Sequence, residues 1–202
     1  MKKRYTQMEK AAYHEIGHAL AMYICYGNID RISEIVIYCN GAGETVHDED
    51  FYIADKAPLF DNSKKGYDFY FNEICYSMGG GLMEAIITHK DEFYSNMWEP
   101  IKMPRESMKG DYESMSTLLS IYGVTTKSEI TAMARTATIF LQRAFIPYLD
   151  KVEELAQMLL SNSDYEGHIT KSDFYRVMNP KLYRKERRRL RKKYRDEINR
   201  SK

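Results

Sequence analysis

Five residues constrain this chain more than any others: His14-Glu15-Ile16-Gly17-His18, an HExxH motif inside a segment that reads as one helix. Side chains four apart lie on the same helical face, so two imidazoles can converge on one metal ion. The glutamate between them stands beside that face, where it can take a proton from a water molecule held there. Such a site needs a rigid helix to carry it, and the flanking sequence supplies one. Thr6 and Glu9 have the spacing of a capping box. The stretch QMEKAAYHEIGHALAMYICY has no proline and few β-branched residues, and Met8, Ala11, Ala12, Ala19, Leu20, Met22 and Tyr23 give it apolar faces. Gly27-Asn28 predicts the stop, because a helix commonly ends on a residue that tolerates positive φ.

Two histidines leave a zinc ion short of a third protein ligand. The metzincin continuation would require glycine and histidine where Ala21 and Ile24 stand, which closes that route. The remaining candidates are Glu84, Asp111, His47, His89 and His168. Spacing favours Glu84, since a downstream helical glutamate completes a thermolysin-like set. Spacing alone leaves the choice open.

The rest of the chain predicts a mainly α fold with a small sheet. Ile32, Ile35, Val36, Ile37 and Tyr38 are strand formers followed by Gly41 and Gly43, which predicts a short strand pair. Residues 47–65 read as loop, and a second helix is expected over 67–88. That helix carries Gly79-Gly80-Gly81, each costing about 1 kcal/mol relative to alanine in a helix interior. The triplet lacks the Lys-Ser/Thr of a phosphate loop, so it predicts the close approach of another backbone. Residues 89–107, with Pro100 and Pro104, read as loop. Helices are expected at about 110–122, at 126–160 with a break near Pro147, and at 170–178. Asn179-Pro180 has the form of a cap and first turn for a basic tail helix.

TQMEKAAYHEIGHAL resembles the start of the peptidase domain of membrane-anchored AAA proteases of the FtsH type, whose motif reads AxHEAGHA. The resemblance extends over roughly residues 5–178. SEIVIYCNGAGETV is similar to that family's strand, turn and strand, and ICYSMGGGLMEAI to its GGRxAEE helix, with Gly79, Gly80 and Glu84 matching. KGDYESMSTLLSIYG resembles the helix that begins Asn-Asp and brings the third zinc ligand, with Gly110 in place of the asparagine. The resemblance therefore implies a helical zincin-like fold over 1–179, one zinc ion per chain on His14, His18 and Asp111, and Glu15 as catalytic base of an endopeptidase. It also implies that the strand Glu34, Ile35, Val36, Ile37 and Tyr38 lies beside the cleft and pairs with an extended protein or peptide substrate. Tyr13, Tyr112 and several other tyrosines are candidates for a second oxyanion donor. The resembling domains form six-membered rings. No GxxxxGK[ST] loop occurs in the sequence, which predicts proteolysis independent of ATP and directed at flexible or unfolded segments.

Charge is unevenly spread. Residues 181–202 hold 12 of the 30 Lys/Arg and 3 of the 29 Asp/Glu, a local +9, leaving −8 on residues 1–180. Tyr183, Leu190, Tyr194 and Ile198 form a narrow stripe along this tail. A solvated helical arm is one reading of it. A nucleic acid or an acidic protein partner is another, which gives the alternative function of a peptidase-like binding module. Cys25, Cys39 and Cys75 form no CxxC pair, which fits a reducing, cytoplasmic location; Cys25 and Cys75 sit in apolar runs and Cys39 does not. No run of about 18 apolar residues predicts a membrane span, and the basic N-terminus lacks the apolar stretch of a secretory signal.

Overall fold

The HExxH helix is the centre of the architecture. In a computed structural model, which describes residues 4–48, 64–96, 99–121, 127–161, 166–179 and 181, α1 spans Gln7–Tyr26 and every residue from Ala12 to Met22 is buried. Both halves of the Thr6–Glu9 capping box are formed, and Gly27 closes the helix at φ 74°. A helix buried on all sides must be packed from several directions. Here α2 (Lys64–Thr88) lies along one side, and a small sheet covers another.

Small residues set the α1–α2 contact. A Cβ on Gly79 would lie 2.6 Å from the Ala21 Cβ and 2.6 Å from the Gly17 carbonyl oxygen; one on Gly17 would lie 2.7 Å from the Met83 Cβ. The crossing is possible only with glycine on both helices. Gly81 faces Met108 in the same way. The helical cost of the triplet is thus offset by close packing, as its position in the sequence predicts.

The sheet is antiparallel with order β2-β1-β3, from β1 (Ile32–Tyr38), β2 (Gly43–His47) and β3 (Glu166–Thr170). Ile35 pairs with Thr45 on one side and with Ile169 on the other; Ile37 pairs with Gly43 and Gly167. β1 is therefore the central strand. This corrects the expectation that Glu34, Ile35, Val36, Ile37 and Tyr38 receive a substrate strand: each of them has a partner on β3, and β2 occupies the other side. The main-chain groups an added strand would need are already paired.

The remaining helices are α3 (Lys90–Ser95), α4 (Lys109–Ile121), α5 (Lys127–Phe145), α6 (Leu149–Ser161) and α7 (Lys171–Met178). A short 3₁₀ turn over Ile146–Tyr148 carries Pro147 and separates α5 from α6, where the proline predicts a break. Two elements differ from expectation. α3 lies within the stretch read as loop, and β3 lies just ahead of the Thr170–Asp173 capping box that starts α7. Most of the stretch 47–65 and the tail helix fall outside the described residues. The result is a mainly helical fold with a three-stranded antiparallel sheet, and among the described residues no helix is long and apolar enough to cross a membrane.

Candidate metal centre

Four elements converge on one cleft of about 450 Å³. α1 contributes His14, Glu15 and His18. α2 contributes Glu73 with Tyr76 and Ser77, three and four residues on, and α4 contributes Asp111, Ser114 and Leu118, spaced three and four apart along one helical face. β2 contributes Gly43, Thr45 and His47, the alternate residues that a strand directs to one side.

At the base of the cleft His14, His18 and Asp111 place one ligand atom each within 4.8 Å of one another. Asp111 Oδ2 lies 3.1 Å from His14 Nε2, and Asp111 Oδ1 lies 3.3 Å from His18 Nε2. His18 Nδ1 donates to the Tyr76 carbonyl at 2.8 Å, which fixes the ring with its Nε2 toward Asp111. Asp111 Oδ2 is buried without a hydrogen-bond partner. A buried carboxylate with two imidazole nitrogens turned toward it is best satisfied by a shared cation. The three groups could therefore hold a metal ion. Gly80 makes room for them, because a Cβ there would lie 2.6 Å from His14 Nε2 and would also meet His18 Nε2.

Electrostatics point the same way. Burial by itself lowers the His14 pKa, but the carboxylates of Asp111, Glu84 and Glu15 outweigh it and push it up to about 10. Burial raises Asp111, yet the two imidazoles hold it well below the carboxylate range. The pocket thus demands a positive charge, which a proton on His14 supplies when no metal does. A group whose folded pKa lies above its ordinary 6.5 adds stability that is complete below that pH and is lost as pH rises toward about 10. Metal-free protein should therefore melt progressively lower from pH 7 to pH 9, whereas zinc-loaded protein should not. A metal-free melting temperature that stays level over this range would mean that His14 is neutral there.

Glu84, the candidate favoured by spacing, lies on the other side of His14. Its Oε2 is 3.5 Å from His14 Nδ1, away from the Nε2 that faces Asp111. That is where a carboxylate orients a ligand histidine rather than binding the metal beside it. His47 meets the Tyr76 hydroxyl at 2.9 Å, His89 is exposed next to Thr88, and His168 is exposed on β3 opposite Val36. None of these three belongs to the cluster.

Glu15 is held from the sheet. Thr45 Oγ1 donates to Glu15 Oε2 at 2.8 Å, and Gly43 leaves space for the carboxylate, since a Cβ there would lie 2.9 Å from Oε1. Neither Thr45 nor Gly43 stands out by motif; the available signal was the alternation Gly43, Thr45, His47 along a strand. Tyr76 was equally anonymous among the tyrosines. Beneath it, the Arg31 guanidinium grips Glu73 in a buried two-pronged ion pair, and Tyr26 donates to the same carboxylate. Comparison with protein-family models gives no match, and comparison with curated proteins gives none either.

Proposed function

We propose that the chain is a zinc-dependent endopeptidase of the FtsH peptidase type, acting without ATP on flexible or unfolded segments of protein. The observation that carries this reading is the convergence of His14, His18 and Asp111 within 4.8 Å, with the Glu15 carboxylate fixed in the same cleft. Zinc held by these three residues would supply a Lewis acid that lowers the pKa of water toward ~7 and polarises a peptide carbonyl. Glu15 has its Oε2 occupied by Thr45, so Oε1 is the atom left to accept the proton of the attacking water and later to return it to the leaving amine. The intact Glu15 argues against a site that merely stabilises the fold, because a structural zinc needs no base.

Substrate pairing moves from β1 to β2. Among the described residues β2 is an edge of the sheet, and its Gly43, Thr45 and His47 line the cleft. An extended peptide added along this edge gains main-chain hydrogen bonds whatever its side chains, so sequence selectivity is weak. The basic run 181–202 can add a docking arm for an acidic partner or nucleic acid without altering the reaction.

The test is direct. Protein loaded with one equivalent of zinc is incubated with an unfolded polypeptide in the absence of ATP, and fragments are read by mass spectrometry. Cleavage should stop on chelation and resume when zinc is restored. Intact substrate after prolonged incubation, with zinc bound at one per chain, would sink the reading.

A further inference from the structure

Peptide hydrolysis by this cleft needs a hydrogen-bond donor for the oxyanion that develops on the scissile carbonyl. We infer that Tyr76, steadied by His47, is that donor; the inference rests on the peptidase reading above. The two tyrosines named among the candidates from the sequence do not fit. Tyr13 is 1% exposed and donates its hydroxyl to Glu153, while Tyr112 is 41% exposed and does not line the cleft. Among the described residues, Tyr76 is the tyrosine that does. Its ring centroid is 5.3 Å from that of His18, which places the phenol beside a metal-facing imidazole.

Tyr76 is held at three points. Its backbone carbonyl accepts the His18 Nδ1 proton at 2.8 Å. The Arg31 guanidinium lies 5.6 Å from its ring centre, itself clamped by Glu73. Its hydroxyl meets His47 Nε2 at 2.9 Å. The His47 tautomer that carries its proton on Nδ1 offers Nε2 as the acceptor. In that tautomer the Tyr76 O–H is the donor at rest. Rotation about the C–O bond redirects that proton to the cleft with no heavy atom moving. A neutral hydrogen bond is exchanged for a charge-assisted one, which is stronger only once negative charge has developed. No bond is broken and no proton changes owner, so the gain falls on the transition state rather than on the bound substrate.

The experiment compares zinc-loaded wild type with Tyr76→Phe. Turnover should fall by roughly 10²–10³-fold, the loss typical of one oxyanion donor, with KM little changed. Zinc content should stay at the wild-type level, because the carbonyl that holds His18 remains. A phosphinic peptide, tetrahedral and anionic at phosphorus, should lose affinity by a similar factor in direct calorimetric binding. A thiol peptide, which binds zinc without presenting an oxyanion, should bind both proteins alike. His47→Gln should show a smaller loss in the same direction. Wild-type turnover in Tyr76→Phe overturns the inference and leaves the peptidase reading intact. So does a turnover loss without a loss of phosphinic peptide affinity, and so does loss of zinc, which would make Tyr76 structural. A wild-type protein that holds zinc but neither cleaves polypeptide nor binds either peptide overturns the peptidase reading, and the inference with it.

Discussion

Asp111→Ala should bind zinc more than about 100-fold more weakly than wild type, beyond the upper end of what losing a hydrogen-bonded partner of a ligand costs. Glu84→Ala should lose only about tenfold, the lower end of that range. The difference follows from which imidazole nitrogen each carboxylate addresses. Asp111 reaches both Nε2 atoms, at 3.1 and 3.3 Å, whereas Glu84 stands 3.5 Å from His14 Nδ1. Removing Asp111 takes away an oxygen that the metal would share with two nitrogens; removing Glu84 loosens the orientation of one ring. Neither change should unfold the protein. Asp111 sits in the first turn of α4, outside the hydrophobic core. Mass spectrometry of metal content, a competitive zinc titration and far-ultraviolet circular dichroism on the three proteins would decide it. If Glu84→Ala lost the metal and Asp111→Ala kept it, the cluster would have to be redrawn around the thermolysin-like set.

The two alternatives had different standing in the sequence for a physical reason. His14 and His18 are related by helix geometry, which any reader of a 3.6-residue period can apply. Asp111 is related to them by tertiary packing alone, through the packing of α4 on α2 and of Met108, just ahead of α4, against Gly81. Periodicity carries no information about such a contact. Resemblance to a family put Asp111 forward, and geometry now puts it beside both imidazoles. The limits of α1 were legible because caps are local: Thr6, Glu9 and Gly27 each act within one turn of the helix end. The glycine triplet was legible as a crossing, though not that Gly80 would lie under the two imidazoles.

The misreadings share one cause as well. Strand pairing is non-local, so the sequence around β1 does not say how many partners it has. Ile35, Val36 and Ile37 are consecutive apolar residues rather than an alternation, and all three are buried, but this reports on the faces of the strand and not on its edges. Such a run marks a strand covered on both faces. The second partner, β3, is only five residues long and abuts α7, so it falls just ahead of the helix read from residue 170. α3 was hidden by length, since six residues give less than two turns of periodicity, with Pro100 and Pro104 close behind. The first of these corrections has functional weight. With β1 enclosed, the sheet edge that borders the cleft is β2, and the residues that steady Glu15 come from it.

That support is what makes Glu15→Gln an informative substitution. Turnover should drop by about 10²–10⁴-fold, the range for removal of a general base, while zinc stays bound. Glutamine has the same shape, and its amide oxygen can still accept the Thr45 hydroxyl that now lies 2.8 Å from Glu15 Oε2. The buried position is then filled without an unpaired charge, and His14, His18 and Asp111 keep their places. What glutamine cannot do is take a proton. A variant that holds one zinc per chain, melts like wild type and cleaves nothing isolates proton transfer as the missing step. A variant that cleaves at the wild-type rate removes Glu15 from the base role and requires another acceptor within the cleft. Thr45→Val separates orientation from basicity: the carboxylate remains but loses its partner, so turnover should fall by less than in Glu15→Gln with the same metal content. The ordering of the two variants thus follows from a single hydrogen bond between the helix that carries the motif and the strand that closes the cleft.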